Sequence, residues 1–339
     1  MKGVSLFSSA GIGEAYLKDI GIDIIVANEL LEKRANLYKE LYPETEVIKG
    51  DISEDEIYSQ ILKKSGNHVD FLLATPPCQG MSIAGTNRDT ASMMWDERNY
   101  LIFKVIDFIK KKSPNYVLIE NVPAFLKLVL PYKGKQHNIV KLFEKVFNKK
   151  YNIEANILDS SEYGVPQKRQ RAIVKLYKKG LKWDRPQKTK KISVQEAIGH
   201  LPSLEAGEYS DIKWHFARPH TEKQILCMKN TPTGKTAFDN KEYRPVKDNG
   251  ESLKGYSSTY RRIKWDEPSP AITIRNDAIS SQRNVHPGRK QSNGEYSDAR
   301  VLTPLELMIL SSLPKDWKLP DDTPELLIRK CLGESIPPL

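Results

Sequence analysis

Residues 69–82 read Val-Asp-Phe-Leu-Leu-Ala-Thr-Pro-Pro-Cys-Gln-Gly-Met-Ser, and the fold turns on how the apolar half of that stretch gives way to the rest. The run Val69 to Ala74 has the length and character of a buried strand. Its end sets Cys78, locked between Pro77 and Gln79, at the carboxyl edge of a sheet, where open α/β sheets keep their chemistry. A second run, Tyr116-Val117-Leu118-Ile119, ends the same way in Glu120-Asn121-Val122. A thiol placed like a nucleophile and a carboxyl acid are thereby expected to face one cleft.

Outward from this pair, short apolar runs alternate with segments of helical period, the pattern of a doubly wound, mostly parallel α/β sheet. Strands are expected at 4–7, 22–27, 69–74 and 117–119, and helices at 14–20, 30–41, 100–111 and 138–148. Runs at 153–158 and 172–177 flank the turn Tyr163-Gly164-Val165-Pro166 and predict an antiparallel hairpin that closes the sheet. From about Lys178 the sequence becomes rich in Lys, Gly, Pro and Trp, which predicts a second, smaller, irregular and β-rich domain. Helical signal returns at Thr303-Pro304-Leu305-Glu306, with proline in the first turn. The expected division is 1–177, 178–300 and a segment 301–339 that returns to the first domain.

The 339 residues are 39% hydrophobic and 28% charged, a balance that fits a folded globular chain and argues against disorder. No stretch approaches a membrane-spanning length, and Met1 runs straight into a strand without a signal peptide, so a cytoplasmic protein is expected. Cys78, Cys227 and Cys331 lie far apart and without histidine at ligand spacing, which predicts neither disulfide nor metal site and leaves Cys227 and Cys331 as small buried residues. The net charge of +10 is uneven: residues 172–260 carry 17 Lys and Arg against 10 Asp and Glu, while 1–171 carry 24 against 22. A basic lobe beside a nearly neutral one suits a polyanionic partner.

After the first strand comes Phe7-Ser8-Ser9-Ala10-Gly11-Ile12-Gly13, small residues that let a ligand approach the backbone closely. The turn lacks both the dinucleotide-binding spacing and a P-loop lysine. Glu29 follows the second strand, where an acid can accept ribose hydroxyls, and Asp51 follows Val47-Ile48, within reach of an adenine amino group. Together they outline a nucleoside pocket without a phosphate cradle, which suits S-adenosylmethionine better than NAD or ATP.

Pro77-Cys78-Gln79, Glu120-Asn121-Val122 and Gln167-Lys168-Arg169-Gln170-Arg171 follow one another, with the turn at 7–13 ahead and Gly333-Glu334-Ser335-Ile336-Pro337-Pro338 behind. In order and spacing they resemble the C5-cytosine DNA methyltransferases of restriction-modification systems. The resemblance implies an S-adenosylmethionine-dependent catalytic domain and a DNA-recognition domain. Cytosine C5 is a poor nucleophile, so a thiolate must first add to C6 and make C5 an enamine carbon that attacks the methyl group. By resemblance Cys78 supplies that thiolate, Glu120 relieves charge at N3 when protonated, Arg171 meets the carbonyl oxygen and Arg169 braces the acid. A guanidinium beside Glu120 favours its ionised form, which opposes the acid role.

The resemblance further implies cofactor contacts from Phe7, Ser9, Ala10, Gly11, Ile12, Glu29, Leu30, Asp51, Ile52, Pro77, Leu101, Glu334 and Ser335. It implies DNA contacts from Gln79, Ser82, Arg98, Lys188, Lys190 and Lys191, with no metal. Arg218, Arg244 and Lys254 are further phosphate contacts by this reading, with Trp214, His215 and Tyr256 packing or touching bases. A base inside a duplex must rotate out to reach a thiol on a sheet edge, and residues 80–98 have the composition of a loop that closes over it. The implied partners are double-stranded DNA and a cognate restriction endonuclease, with the enzyme acting as a monomer and without a membrane.

Four positions depart from the pattern: Ser9 and Asn99 stand where glycine is usual, Leu30 replaces a frequent tryptophan, and Glu334 replaces asparagine. No helix is expected beyond the closing motif. Two rival readings share these motifs. An RNA cytosine methyltransferase of related sequence usually carries a Cys-Phe-Thr element, which this chain lacks. A non-catalytic DNA-binding protein would have no use for Cys78, Glu120 and Arg171 together.

Overall fold

The structure, a computed structural model, describes residues 1–77, 96–247, 249–251, 253 and 255–339. By its internal contacts the chain forms two compact units, one of Met1–Asp159, Gln170–Gln187 and Lys318–Pro320, the other of Ser160–Arg169, Lys188–Trp317 and Asp321–Leu339.

The first unit is built on a seven-stranded sheet. Its strands are β1 (Lys2–Leu6), β2 (Asp23–Glu29), β3 (Glu46–Lys49), β4 (Phe71–Ala74), β5 (Tyr116–Asn121), β8 (Tyr151–Asp159) and β9 (Gln170–Lys178), while β6 (Val129–Tyr132) and β7 (Lys135–Asn138) form a separate hairpin. The order is β3-β2-β1-β4-β5-β9-β8, parallel from β3 through β5 and antiparallel at β9 and β8. All four residues of β4 are buried, as expected of a central strand covered on both faces. Helices at Glu32–Leu41, Asp55–Lys64, Ile102–Lys112 and Ile139–Phe147 complete the parallel crossovers and the cover. Val4, Leu6, Leu72, Val105, Phe108, Val117, Ile119 and Phe143 lie at the centre of the core.

The sheet order reverses between β1 and β4, so the carboxyl ends of β1, β2, β4 and β5 open onto a crevice at a topological switch point. The register lines up Leu6 with Ala74 and Ala74 with Ile119. The turn at 7–13, Pro76-Pro77 and Glu120 therefore leave the sheet at one edge.

Three elements differ from the sequence reading. The helix expected at 14–20 is two 3-10 turns, Ile12–Glu14 and Lys18–Ile20, bounded by Gly11 and Gly21 in the left-handed region. Helix Asp55–Lys64 was not anticipated, because only Tyr58 and Ile61 of its face are buried in an otherwise polar run. Helix Glu325–Glu334 precedes the closing motif and ends within it.

The second unit is irregular but not β-rich. Among its described residues the extended pairing consists of isolated bridges, such as Arg262 with Val285 and Lys290 with Tyr296. Its helices span Val194–Ile198, Glu222–Lys229, Pro304–Leu310 and Glu325–Glu334. The third begins as the sequence indicates, with Pro304 in the first turn and a Thr303–Glu306 capping box. A small apolar cluster forms around Met228, Ile279, Val285 and Val301.

Candidate active site

At the end of β1 the backbone turns sharply. Phe7, Ser9 and Gly11 have φ of 63°, 50° and 71°, so two non-glycine residues carry left-handed backbone at a cost of roughly 1–2 kcal/mol each. The φ of Ser9 explains in physical terms why glycine suits that position. The strain is held by hydrogen bonds: Ser8 N donates to Asn28 O at 2.9 Å, Ser9 N to Glu29 Oε2 at 2.9 Å, and Thr75 Oγ1 to Phe7 O at 2.9 Å.

Glu29, the last residue of β2, is buried, and its other oxygen accepts from Leu31 N at 2.9 Å. Each carboxylate oxygen keeps a further lone pair for a ligand hydroxyl. Leu30 beside it is 58% exposed, an apolar face available for packing. Asp51 follows Gly50, and its Oδ1 accepts from Ser53 N at 2.8 Å. Asn28 pins this loop by donating to Ile48 O and Gly50 O. Ala10, Ile12 and Ile52 are buried, and Pro77 and Leu101 are half-buried.

Glu120 is the next-to-last residue of β5, and β9 returns antiparallel beside it, pairing Glu120 with Ile173 and Asn121 with Ala172. This places the Arg171 side chain against the acid, with Nε 2.7 Å from Oε1, and both side chains are mostly buried. The pair brings an acid and a guanidinium fork together at the carboxyl edge of the sheet. Asn121 donates to Pro76 O at 3.0 Å and so ties the end of β5 to the chain just ahead of Pro77. Thr75 and Asn121 thus position this edge although neither was singled out by residue type. The legible signal was Asn121's place beside Glu120 in a strand-end motif.

Cys78, Gln79 and Ser82 fall in 78–95, outside the described residues, as does Lys254. Arg98 is described, and its guanidinium forms a two-point bridge to Asp96, with Nε to Oδ1 at 2.8 Å and Nη2 to Oδ2 at 2.5 Å.

In the second unit Arg169 is buried and donates to Ile272 O at 2.7 Å, Gly333 O at 2.9 Å and Glu334 O at 3.0 Å. It joins the 167–171 motif to the Pro268–Thr273 stretch and to the closing motif. Ser335 N caps the last helix on Cys331 O at 3.0 Å. Lys188 pairs with Glu162 at 2.7 Å and Lys190 with Glu196 at 3.0 Å, both at the surface, and Lys191 is exposed. Arg218 pairs with Glu325 at 2.7 Å, and Arg244 donates to Phe238 O. His215 is fully buried between Thr303 Oγ1 and Pro202 O, so it packs, whereas Tyr256 is 65% exposed. Among the described residues there is no cluster of metal-ligating side chains, and no helix is long and apolar enough to cross a membrane.

A crevice at the switch point, a strained small-residue turn with an acid on the next strand, and a carboxylate–guanidinium pair two strands away share the carboxyl edge of one sheet. The whole chain, residues 1–339, matches the family model for C-5 cytosine-specific DNA methylases, and the chain belongs to that family. It is 58% identical over 338 residues to the type II methyltransferase M1.HgaI of Avibacterium volantium, covering 99% of this chain and 95% of that one. It is 34% identical to the type II methyltransferase M.FnuDI of Fusobacterium nucleatum, over 85% of this chain and 73% of its relative. The fold is shared with a crystal structure of Spodoptera frugiperda DNMT2, at a TM-score of 0.62 and 19% identity, covering 99% of this chain and 95% of that one. The protein is thus a DNA cytosine-5 methyltransferase.

Proposed function

We propose that this enzyme moves a methyl group from S-adenosylmethionine to C5 of a cytosine rotated out of duplex DNA, through a covalent bond between Cys78 Sγ and C6. The observation that carries this reading is the Glu120–Arg171 pair at the carboxyl edge of the sheet, with Asn121 bound to Pro76 at 3.0 Å. These contacts hold an acid and a guanidinium beside the strand end from which Cys78 issues. The sulfonium of S-adenosylmethionine, when bound, supplies an electrophilic methyl group.

The protein's own groups do the rest. The Cys78 thiolate adds to C6, and the ring electrons shift toward N3 and the carbonyl oxygen. Arg171 stabilises that charge at the oxygen. Glu120 takes up a proton on substrate binding, which loosens its pairing with Arg171, and donates that proton to N3 as the charge builds there. C5 takes the methyl group as its bond to the sulfonium breaks and a neutral thioether departs. A base then removes the C5 proton, the C5–C6 double bond re-forms, the Cys78 sulfur leaves C6 with its electrons, and the N3 proton returns to Glu120. Glu29 and Asp51 take the ribose and adenine, and Phe7, Ser9, Ala10, Gly11, Ile12, Leu30, Ile52, Pro77 and Leu101 line the cofactor; a cofactor role for Glu334 and Ser335 rests on the family resemblance alone. Arg169 orders the second unit by holding the carbonyls of Ile272, Gly333 and Glu334.

Residues 178–300 read the DNA sequence, with Lys188, Lys190, Lys191 and Ser82 on phosphates and Gln79 and Arg98 as further DNA contacts. The exposed pairs of Lys188 and Lys190 exchange readily for phosphate, because surface ion pairs are weak. The likeness to type II methyltransferases supports a modification role beside a cognate endonuclease, as a monomer in the cytoplasm.

Cys78→Ala should abolish methyl transfer while DNA binding persists. Duplex DNA bearing 5-fluorocytosine, incubated with cofactor, should trap wild-type protein covalently and leave the variant free. Methyl transfer by Cys78→Ala, or label on tRNA and none on duplex DNA, would refute the reading.

A further inference from the structure

Glu14 has no part in the chemistry above, yet its carboxyl is almost fully enclosed at the cofactor end of the sheet, 4% exposed. One oxygen accepts from Ser5 Oγ of β1 at 2.6 Å, and the other accepts from the Tyr38 hydroxyl of helix Glu32–Leu41. Tyr42, one turn beyond Tyr38, donates its hydroxyl to Gly11 O at 2.8 Å, and the two rings lie 4.9 Å apart. A Cβ on Gly11 would sit 2.4 Å from Tyr42 Cε2 and 2.9 Å from Tyr38 Cε2, so the small-residue turn rests directly on the tyrosine pair.

Besides the bonds to Asn28 and Thr75, three side-chain ties join this turn and the residue after it to Glu29 and to the tyrosine pair: Ser9 N to Glu29, Gly11 O to Tyr42, and Glu14 to Tyr38. Two of them end on Tyr38, in the helix Glu32–Leu41, and on Tyr42, the cap that follows it. The third is the one that depends on a proton.

We propose that Glu14 is a positioning residue for the cofactor site: as a carboxylate it sets the spacing of the 7–13 turn and the Glu29 loop at which S-adenosylmethionine binds, and its protonation loosens that spacing. The proposal rests on the cofactor reading given above. Both oxygens of Glu14 face hydroxyl donors, an arrangement that a carboxylate satisfies completely. A carboxylic acid must itself donate, so one hydroxyl has to turn its hydrogen away inside a buried site, and one tie is lost.

Burial raises Glu14 to about 7 against the opposing pull of the Ser5 and Tyr38 hydrogen bonds. The facing groups are Ser5 from β1 and Tyr38, with Tyr42 behind it, from the helix; among the described residues no Lys, Arg or His is hydrogen-bonded or ion-paired to Glu14. Tyr38 does not compete for the transition, since burial and the neighbouring carboxylate hold its hydroxyl well above the ordinary range.

The test is the Kd for S-adenosylmethionine and for S-adenosylhomocysteine from pH 5.5 to 8.5, by titration calorimetry, on wild type, Glu14→Gln and Tyr38→Phe, with melting curves to verify folding. If the carboxylate form alone binds well, about a tenth of the protein is competent at pH 6, so wild-type affinity should be about tenfold weaker there than at the alkaline plateau. Glu14→Gln should lack this inflection, and taking its ratio to wild type removes any titration of the ligand itself. Tyr38→Phe, which withdraws a donor to the carboxylate, should move the inflection to higher pH. A Glu14→Gln profile parallel to wild type, or an unmoved inflection in Tyr38→Phe, would overturn the proposal. Wild-type protein that binds neither ligand at any pH would overturn the cofactor reading and this proposal with it.

Discussion

The first unit buries Val4, Leu6, Leu72, Val117 and Ile119 in a sheet, while the second buries Arg262, Arg300 and Arg329. The contrast follows from where backbone carbonyls find donors. Ladders satisfy them in the sheet, but the second unit has isolated bridges, and guanidinium groups with five N–H donors each take over. Arg262 donates to the carbonyls of Met228, His286, Ser297 and Asp298, and Arg329 to those of Asn276 and Leu302. Arg300 binds Asp298 at 2.9 Å and both oxygens of Glu306 at 2.8 and 2.9 Å, all three side chains being fully buried. A core of this kind fixes loops in place, and its weakness is that each charge depends on its partner.

The largest effect is therefore expected from Arg300→Met, which removes the buried cation shared by Asp298 and Glu306 and leaves Asp298 to Ser203, Ser297, Leu204 N and Arg289 and Glu306 to Thr303 N. Loss of one partner from a buried network costs about 3–5 kcal/mol, read by urea denaturation. A loss within the noise would show that Asp298 and Glu306 find other partners. Leu72→Ala in the sheet core should cost about 3 kcal/mol through lost contacts and a cavity, with no pH dependence of its own.

Acidity should separate the units further. Burial by itself would raise Glu306, but Arg300 and His286 hold it down to about 2, so its contribution is complete above the ordinary 4.5 and is lost as pH falls toward 2. Burial, aided by Arg300, lowers His286 to about 3, so its contribution is complete above 6.5 and falls away as pH drops below that. Glu14 runs the other way. Its folded value near 7 lies above 4.5, so its contribution is complete below 4.5 and is lost as pH rises through about 7. Hydrogen exchange followed from pH 8 to 5 should show the second unit losing protection as acid increases, with Glu14→Gln altering only the first. The smallest effect on folding belongs to Lys190→Ala, which breaks an exposed pair and should leave the melting temperature unchanged. The same change should weaken DNA binding and lower its salt dependence if Lys190 meets a phosphate.

How much of this was legible depended on local signal. Strands β1, β2, β4 and β5 are apolar runs, and the β8–β9 hairpin is announced by two such runs around Gly164-Val165-Pro166. Helix Asp55–Lys64 was not legible, because its buried face is just Tyr58 and Ile61. The expected β-rich second domain failed on the same ground: composition showed loops, but no local pattern marks an arginine as a substitute for a ladder. Glu14 reads as an ordinary first-turn acid, and Arg169 as a neighbour of the acid site, until the fold brings Ser5, Tyr38 and the carbonyls of 272, 333 and 334 to them.

By itself the sequence determined the parallel sheet, the strand that runs into Thr75-Pro76-Pro77 and the one that carries Glu120, and the order of motifs that places the chain among cytosine methyltransferases, since these depend on short-range polarity and spacing. Only the tertiary structure decided that Arg171 lies 2.7 Å from Glu120, that Arg169 bonds to distant carbonyls, and that Glu14 is cut off from water. The reason is that register and burial are set by residues far apart in the chain, and a side chain's charge state follows its surroundings.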